Sequence, residues 1–117
     1  MINRITTVLM ILTILLAMLL VGARLLGLQV FTVLSGSMEP AYKTGSVIYI
    51  RPVEPSEIEI GSPITFVVDE SLTVATHRVI DIDASNQRFY TQGDANESPD
   101  GAPVHFKNLL GTPVFTI

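Results

Sequence analysis

The chain contains no cysteine. Disulfides, thiolate metal sites and thiol catalysis are thereby excluded by inventory, while the redox compartment stays open. Basic residues are scarce beyond the first two dozen positions. From Leu25 onward five stand against eleven acidic ones, a balance near −6 within a formal net charge of −4. That leaves no basic patch for a phosphate backbone, and no nucleic-acid partner is expected. Candidate general bases are few: the only histidines are His77 and His105, and the only lysines Lys43 and Lys107. No repeat, charge run or low-complexity segment interrupts the 117 residues. The length allows one domain, and a core of that size is marginal by surface-to-volume scaling.

Charge is also missing from Ile5 to Ala23, and what fills the gap is apolar apart from three threonines. As a helix these residues would span about 28 Å, enough to cross a bilayer. Arg4 and Arg24 bracket the run at snorkelling distance, and it carries no polar stripe of the kind a soluble amphipathic helix needs. The sequence therefore predicts a transmembrane anchor over residues 1–24, single-pass, with residues 25–117 as the folded part. A cleavable signal peptide is the rival reading, with Val21-Gly22-Ala23 as its cleavage site. The apolar stretch is longer than the roughly 7 to 15 residues of such a leader's hydrophobic region, which favours the anchor. One arginine on each side barely decides orientation by the positive-inside rule.

After Arg24 the texture changes to short β-branched and aromatic runs punctuated by Gly and Pro. Strands are predicted at Leu28 to Leu34, Val47 to Arg51, Ile64 to Val68, Thr73 to Asp83, Arg88 to Gln92 and Thr112 to Ile117. Glu54 to Ile58 allows at most one helical turn. The expected fold class is mostly β, a small antiparallel folded sheet or barrel preceded by an N-terminal transmembrane helix. The last strand either closes the sheet or leads into sequence that follows it.

A nucleophilic serine needs a base, a group that orients the base, and donors for the oxyanion. His77 lies within Thr73-Val74-Ala75-Thr76-His77-Arg78-Val79-Ile80, a predicted strand that would hold its ring rigidly. His105, in Pro103-Val104-His105-Phe106-Lys107, reads as a surface or packing residue. Upstream stands Ser35-Gly36-Ser37-Met38-Glu39-Pro40, where Gly36 allows close backbone approach and Pro40 restricts the turn. Downstream lies Gly93-Asp94-Ala95-Asn96-Glu97-Ser98-Pro99-Asp100, which could equally be a loop rich in Asx-turns.

Together with Gly45-Ser46-Val47-Ile48-Tyr49-Ile50, these segments resemble, in order, the successive boxes of type I signal peptidases. With His77 where most bacterial members carry lysine, the chain is similar to the endoplasmic-reticulum, archaeal and sporulation-associated branch. The resemblance runs from about Ile5 to Ile117. It implies Ser37 as nucleophile, His77 as general base, and Ser35 with the Ser37 N–H as the oxyanion hole. It also implies an orienting acid, either Asp100 or Asp94, with the other acid bracing the box. The chain departs from the pattern at Pro99, where members of this branch commonly carry a second acid beside the last.

What the resemblance implies for function is a membrane-bound serine endopeptidase that removes signal peptides from secreted preproteins after small-x-small sites. No cofactor or metal is expected. Preproteins and the lipid bilayer would be its partners, with accessory subunits unspecified, and the catalytic part would lie outside the cytoplasm or in a lumen. Met38 and the run Leu28 to Val33 are candidates for the wall beside Ser37, although the run reads more simply as a core strand or a membrane contact. Two rivals remain: a self-cleaving protease of the SOS-repressor type, which normally uses lysine and no anchor, and a catalytically silent anchored β-domain acting as a scaffold.

Overall fold

The computed structural model describes residues 3–68 and 73–117; positions 1 and 2 of the expected anchor lie outside the described residues. The N-terminal apolar run forms one helix, α1 (Arg4–Leu25), none of whose residues is buried. Asn3 caps it by accepting the Thr6 N–H on its side chain at 2.8 Å. Polar groups inside the helix are satisfied locally: the Thr13 hydroxyl donates to the Leu9 carbonyl at 2.8 Å, and Thr7 to that of Asn3 at 3.0 Å. The segment is long and apolar enough to cross a membrane. Helix geometry continues through Val21–Ala23, the alternative cleavage site.

The helix stops at Gly27, whose φ of +76° is the left-handed conformation that glycine adopts without penalty. Gly27 N–H donates to the Arg24 carbonyl and Leu28 N–H to that of Ala23, the paired bonds of a Schellman motif. The chain leaves this turn as a strand within two residues.

Among the described residues seven strands follow: β1 (Gln29–Thr32), β2 (Val47–Arg51), β3 (Pro63–Val67), β4 (Val74–Asp83), β5 (Arg88–Gln92), β6 (Val104–His105) and β7 (Leu109–Thr116). They form a single sheet in the order β1-β2-β7-β3-β4-β5-β6, with every neighbouring pair antiparallel. The expected mostly-β class is correct. The last strand enters the middle of the sheet, pairing with β3 through Leu109–Gly111 and with β2 through Thr112–Thr116. It thus joins two wings, leaving β1 and β6 as the edges.

Alternation along β3, β4 and β5 turns Ile64, Phe66, Val79 and Phe89 to one side, where they bury with Ile58 and Val104. Phe106 completes this cluster, its ring centroid 4.5 Å from that of Phe89. Met38, Ile48 and Ile50 are buried under the β1–β2 wing.

Candidate active site

Two loops and the strand β4 supply the site. The first loop leaves β1, whose pairing is prolonged by Val33 N–H to the Ser46 carbonyl and Gly45 N–H to that of Val33. Beyond it Ser35-Gly36-Ser37 turns back, closed by Glu39 N–H on the Gly36 carbonyl at 3.1 Å. Met38 anchors the turn: it is 2% exposed and its sulfur accepts the Asp94 N–H at 3.3 Å. The Glu39–Pro40 peptide is cis. The Glu39 carboxylate accepts both the N–H and the hydroxyl of Thr44, which hold it below the usual carboxylate range.

His77 stands on β4, opposite Ile64 on β3, with its ring edge-on to Phe66 at 6.3 Å. Its Nε2 lies 3.0 Å from Ser37 Oγ and its Nδ1 2.5 Å from Asp100 Oδ2. A carboxylate only accepts, so Nδ1 donates and Nε2 presents its lone pair to the Ser37 hydroxyl. Ser37 Oγ is also 3.1 Å from Ser35 Oγ, and the Ser37 N–H reaches Ser35 Oγ at 3.5 Å. The structure thus brings Ser35, Ser37, His77 and Asp100 into one hydrogen-bonded line across residues up to 65 positions apart.

Asp94 lies elsewhere. Its carboxylate receives Arg78 Nε and Nη2 at 2.8 Å each, a two-point ion pair, while Arg78 Nη1 donates to the Gly61 carbonyl. Arg78 alternates with His77 along β4 and so serves the opposite face of the strand. Bonding to the guanidinium holds the Asp94 carboxyl below its ordinary value. Of the two acids open in the sequence, Asp100 is the one that meets His77, while the Asp94 carboxylate is held by a side-chain ion pair to Arg78.

The box that carries Asp94 packs directly on the Ser37 loop. Ala95 N–H donates to the Ser37 carbonyl at 2.8 Å. A Cβ on Gly93 would sit 2.6 Å from that carbonyl oxygen and 2.7 Å from Asn96 Nδ2, so only glycine fits. His105 is on the edge strand β6, where its Nδ1 accepts the Lys107 N–H and caps a short 3-10 turn, the packing role expected of it.

A cavity of about 670 Å³ opens beside Ser37 and His77, lined on one side by Phe31 to Ser35 and Met38 and on the other by Thr73 to Thr76. Met38 lines this cavity, and of the run Leu28 to Val33 only Phe31, Thr32 and Val33 do. Tyr42 also lines it; burial is the main cause raising its phenol above the ordinary value. Sequence reasoning missed Tyr42 and the ion-pair role of Arg78. It also missed Thr91, fully buried on β5, whose hydroxyl donates to Asp100 Oδ2 at 2.6 Å. The available signal for Thr91 was parity, since it is a polar residue two positions from Phe89 on the inward side of its strand.

Fold and site together define a β-sheet protein with an N-terminal apolar helix and a serine–histidine–aspartate hydrogen-bond chain beside a substrate-sized cavity. Its homologues include signal peptidase I W of Bacillus subtilis, 41% identical over 86 residues, which are 71% of this chain and 45% of that protein. The signal peptidase complex catalytic subunit SEC11C of Homo sapiens is 35% identical over 74 residues, 61% of this chain and 38% of that one. The corresponding SEC11 subunit of Yarrowia lipolytica is 37% identical over 70 residues, 58% and 40% of the two chains. The chain is therefore similar to type I signal peptidases, to the Bacillus protein and to the SEC11 catalytic subunits alike. No protein-family model matches it. It spans less than half the length of the curated relatives it matches. These homologues and the apolar helix support membrane association.

Proposed function

We propose that this chain carries the catalytic centre of a membrane-bound signal peptidase, a serine endopeptidase that cleaves preproteins. The observation that carries the reading is the alignment of Ser37 Oγ, His77 and Asp100 at 3.0 Å and 2.5 Å beside the cavity. In this mechanism His77 Nε2 removes the Ser37 proton as the hydroxyl oxygen attacks the scissile carbonyl. The imidazolium so formed is stabilised by Asp100 and returns the proton to the leaving amine. Water then repeats the sequence on the acyl-enzyme. Ser35 Oγ and the Ser37 N–H are the donors for the oxyanion; the 3.5 Å bond between them exchanges for bonds to substrate.

The substrate enters as an extended strand beside β1, an edge with free backbone groups next to Ser35. Small residues at the first and third positions before the cut suit pockets in the wall formed by Phe31, Val33, Met38 and Tyr42. Residues 1–24 anchor the enzyme, and residues 25–117 lie on the extracytoplasmic or luminal side. Ser37 is 13 residues beyond Arg24, at most about 45 Å of extended chain, so catalysis takes place near the bilayer. A preprotein tethered in the same membrane meets the enzyme at raised effective concentration.

The test incubates the detergent-solubilised chain with a preprotein carrying a small-x-small site. Cleavage there, abolished by Ser37→Ala and retained in reduced form by Ser35→Ala, is the expected result. Self-cleavage alone would favour a repressor-type protease, and no cleavage of either kind a scaffold.

A further inference from the structure

Thr91 occupies a position that the core would fill more simply with valine. It is 1% exposed, one inward step along β5 from Phe89 and opposite Val79 on β4. Carrying a hydroxyl into such a place costs free energy unless it is bonded. Here the hydroxyl donates to Asp100 Oδ2 at 2.6 Å, while the Thr91 carbonyl accepts the Asp100 N–H at 2.8 Å. One strand residue thus holds both the backbone and the carboxylate of Asp100. The oxygen it holds is the same Oδ2 that faces His77 Nδ1.

We propose that Thr91 is a positioning residue for the reaction assigned above, acting on His77 through Asp100. The inference rests on the reading of His77 as general base. The physical need is specific. A carboxylate turns about a soft, broad torsion, so a single bond to a ring that itself gains and loses a proton leaves its plane poorly fixed. The Thr91 hydroxyl takes the second acceptor direction of Oδ2 and locks that plane with the first direction aimed at Nδ1. With two donors on it, Oδ2 has both of its acceptor directions filled, so the carboxylate cannot swing away from the ring without breaking one of them. Thr91 does not line the cavity beside Ser37. It borders a separate space of about 300 Å³ on the other side of His77 and Asp100, with Phe66 and Val104. Its influence therefore falls on the chemical step and not on substrate binding.

Thr91→Val, which keeps shape and removes the hydroxyl, is expected to lower kcat about 10-fold to 100-fold, the range for residues that orient a working imidazole from behind. KM stays unchanged. Thr91→Ser restores most of the rate, and Thr91→Ala does not; this pair differs only by the hydroxyl, so it decides the matter even if the valine variant folds poorly. In an Asp100→Ala background Thr91→Val costs nothing further. Independently of turnover, the far-downfield proton resonance of the His77 Nδ1–H, bound to a carboxylate, is present in the parent chain and in Thr91→Ser and lost in Thr91→Val. Full kcat in Thr91→Val with an unchanged resonance would overturn the proposal, as would equal losses with and without Asp100. A chain that cleaves no preprotein counts against the assigned reaction alone, because the His77 resonance still reports whether Thr91 holds the pair.

Discussion

Gly93 shows how narrowly the site is built at the scale of single residues. Its backbone φ is not in the left-handed region, so its need for glycine comes from proximity: a methyl there would overlap the Ser37 carbonyl and the Asn96 amide. Both neighbours are held, the first by the Ala95 N–H and the second within the turn closed by Asn96 N–H on the Gly93 carbonyl. Gly93→Ala must therefore push Ser37 away from His77. Displacements of about 1 Å at a nucleophile cost on the order of 100-fold in rate. The expected outcome is a loss of that size in kcat with the apolar helix and sheet retained, read from cleavage assays beside a thermal melt. His77 was legible in the sequence because the chain has only two histidines, whereas Ser37, one of eight serines, was singled out through the family resemblance. Asp100 against Asp94 was not legible, because the choice depends on which loop carboxylate folds back onto β4, and spacing along a loop does not encode that.

Between elements, the tie of most consequence joins β4 to the loop after β5. Arg78 reaches Asp94 in that loop and the Gly61 carbonyl in the turn before β3. Alternation places His77 on one face of the strand and Arg78 on the other, so a single strand supports the site from both sides. The pH dependence follows from the sign of the shift. Asp94 is held below its ordinary value, chiefly by its bonds to Arg78, so its contribution to stability is complete above about pH 4 and is lost as pH falls through the folded value. Both side chains are partly exposed, 35% and 23%, and solvent screening limits the contribution to about 1 kcal/mol or less. Asp94→Asn is expected to lower the denaturation midpoint at neutral pH and to flatten the decline between about pH 4 and pH 2. Asp83, lowered by its own bonds to Asn86 and Ser85, keeps part of that decline in both proteins. Denaturant titrations across the range separate the two. Strands β2 and β5 fell where β-branched and aromatic runs predicted them, since local pattern suffices there. β6, two residues long, left no periodicity to read, and β7 begins at Leu109, three residues before the predicted strand, because its first residues pair with β3 across the sheet.

For the molecule as a whole, the open question is how the sheet sits relative to the bilayer that α1 can enter. The Schellman turn at Gly27 passes the chain from helix to β1 without a linker, so the β1–β2–β7 wing starts at the end of the apolar segment. Register then sets Val30, Tyr49 and Phe115 in one cross-strand row, with Val47 and Ile117 paired in the next. Val30, Phe115 and Ile117 are all more than half exposed, and Leu25 and Leu26 beside them more so. On the membrane-bound reading proposed above, a patch of this kind beside the apolar helix would meet lipid, with Tyr49 and Phe115 at the headgroup level where aromatic rings settle. The chain has no tryptophan, so one introduced indole reports without background. In the full chain reconstituted into vesicles, Phe115→Trp is expected to emit at shorter wavelength than an indole in water. Brominated acyl chains should quench it and aqueous acrylamide largely spare it. Tyr90→Trp, on β5 toward the other edge of the sheet, should show the reverse. Quenching of Phe115→Trp by acrylamide alone would mean that this wing faces water. The site would then approach its substrate along some other side, and the short path from Arg24 to Ser37 would be the only constraint holding catalysis near the membrane.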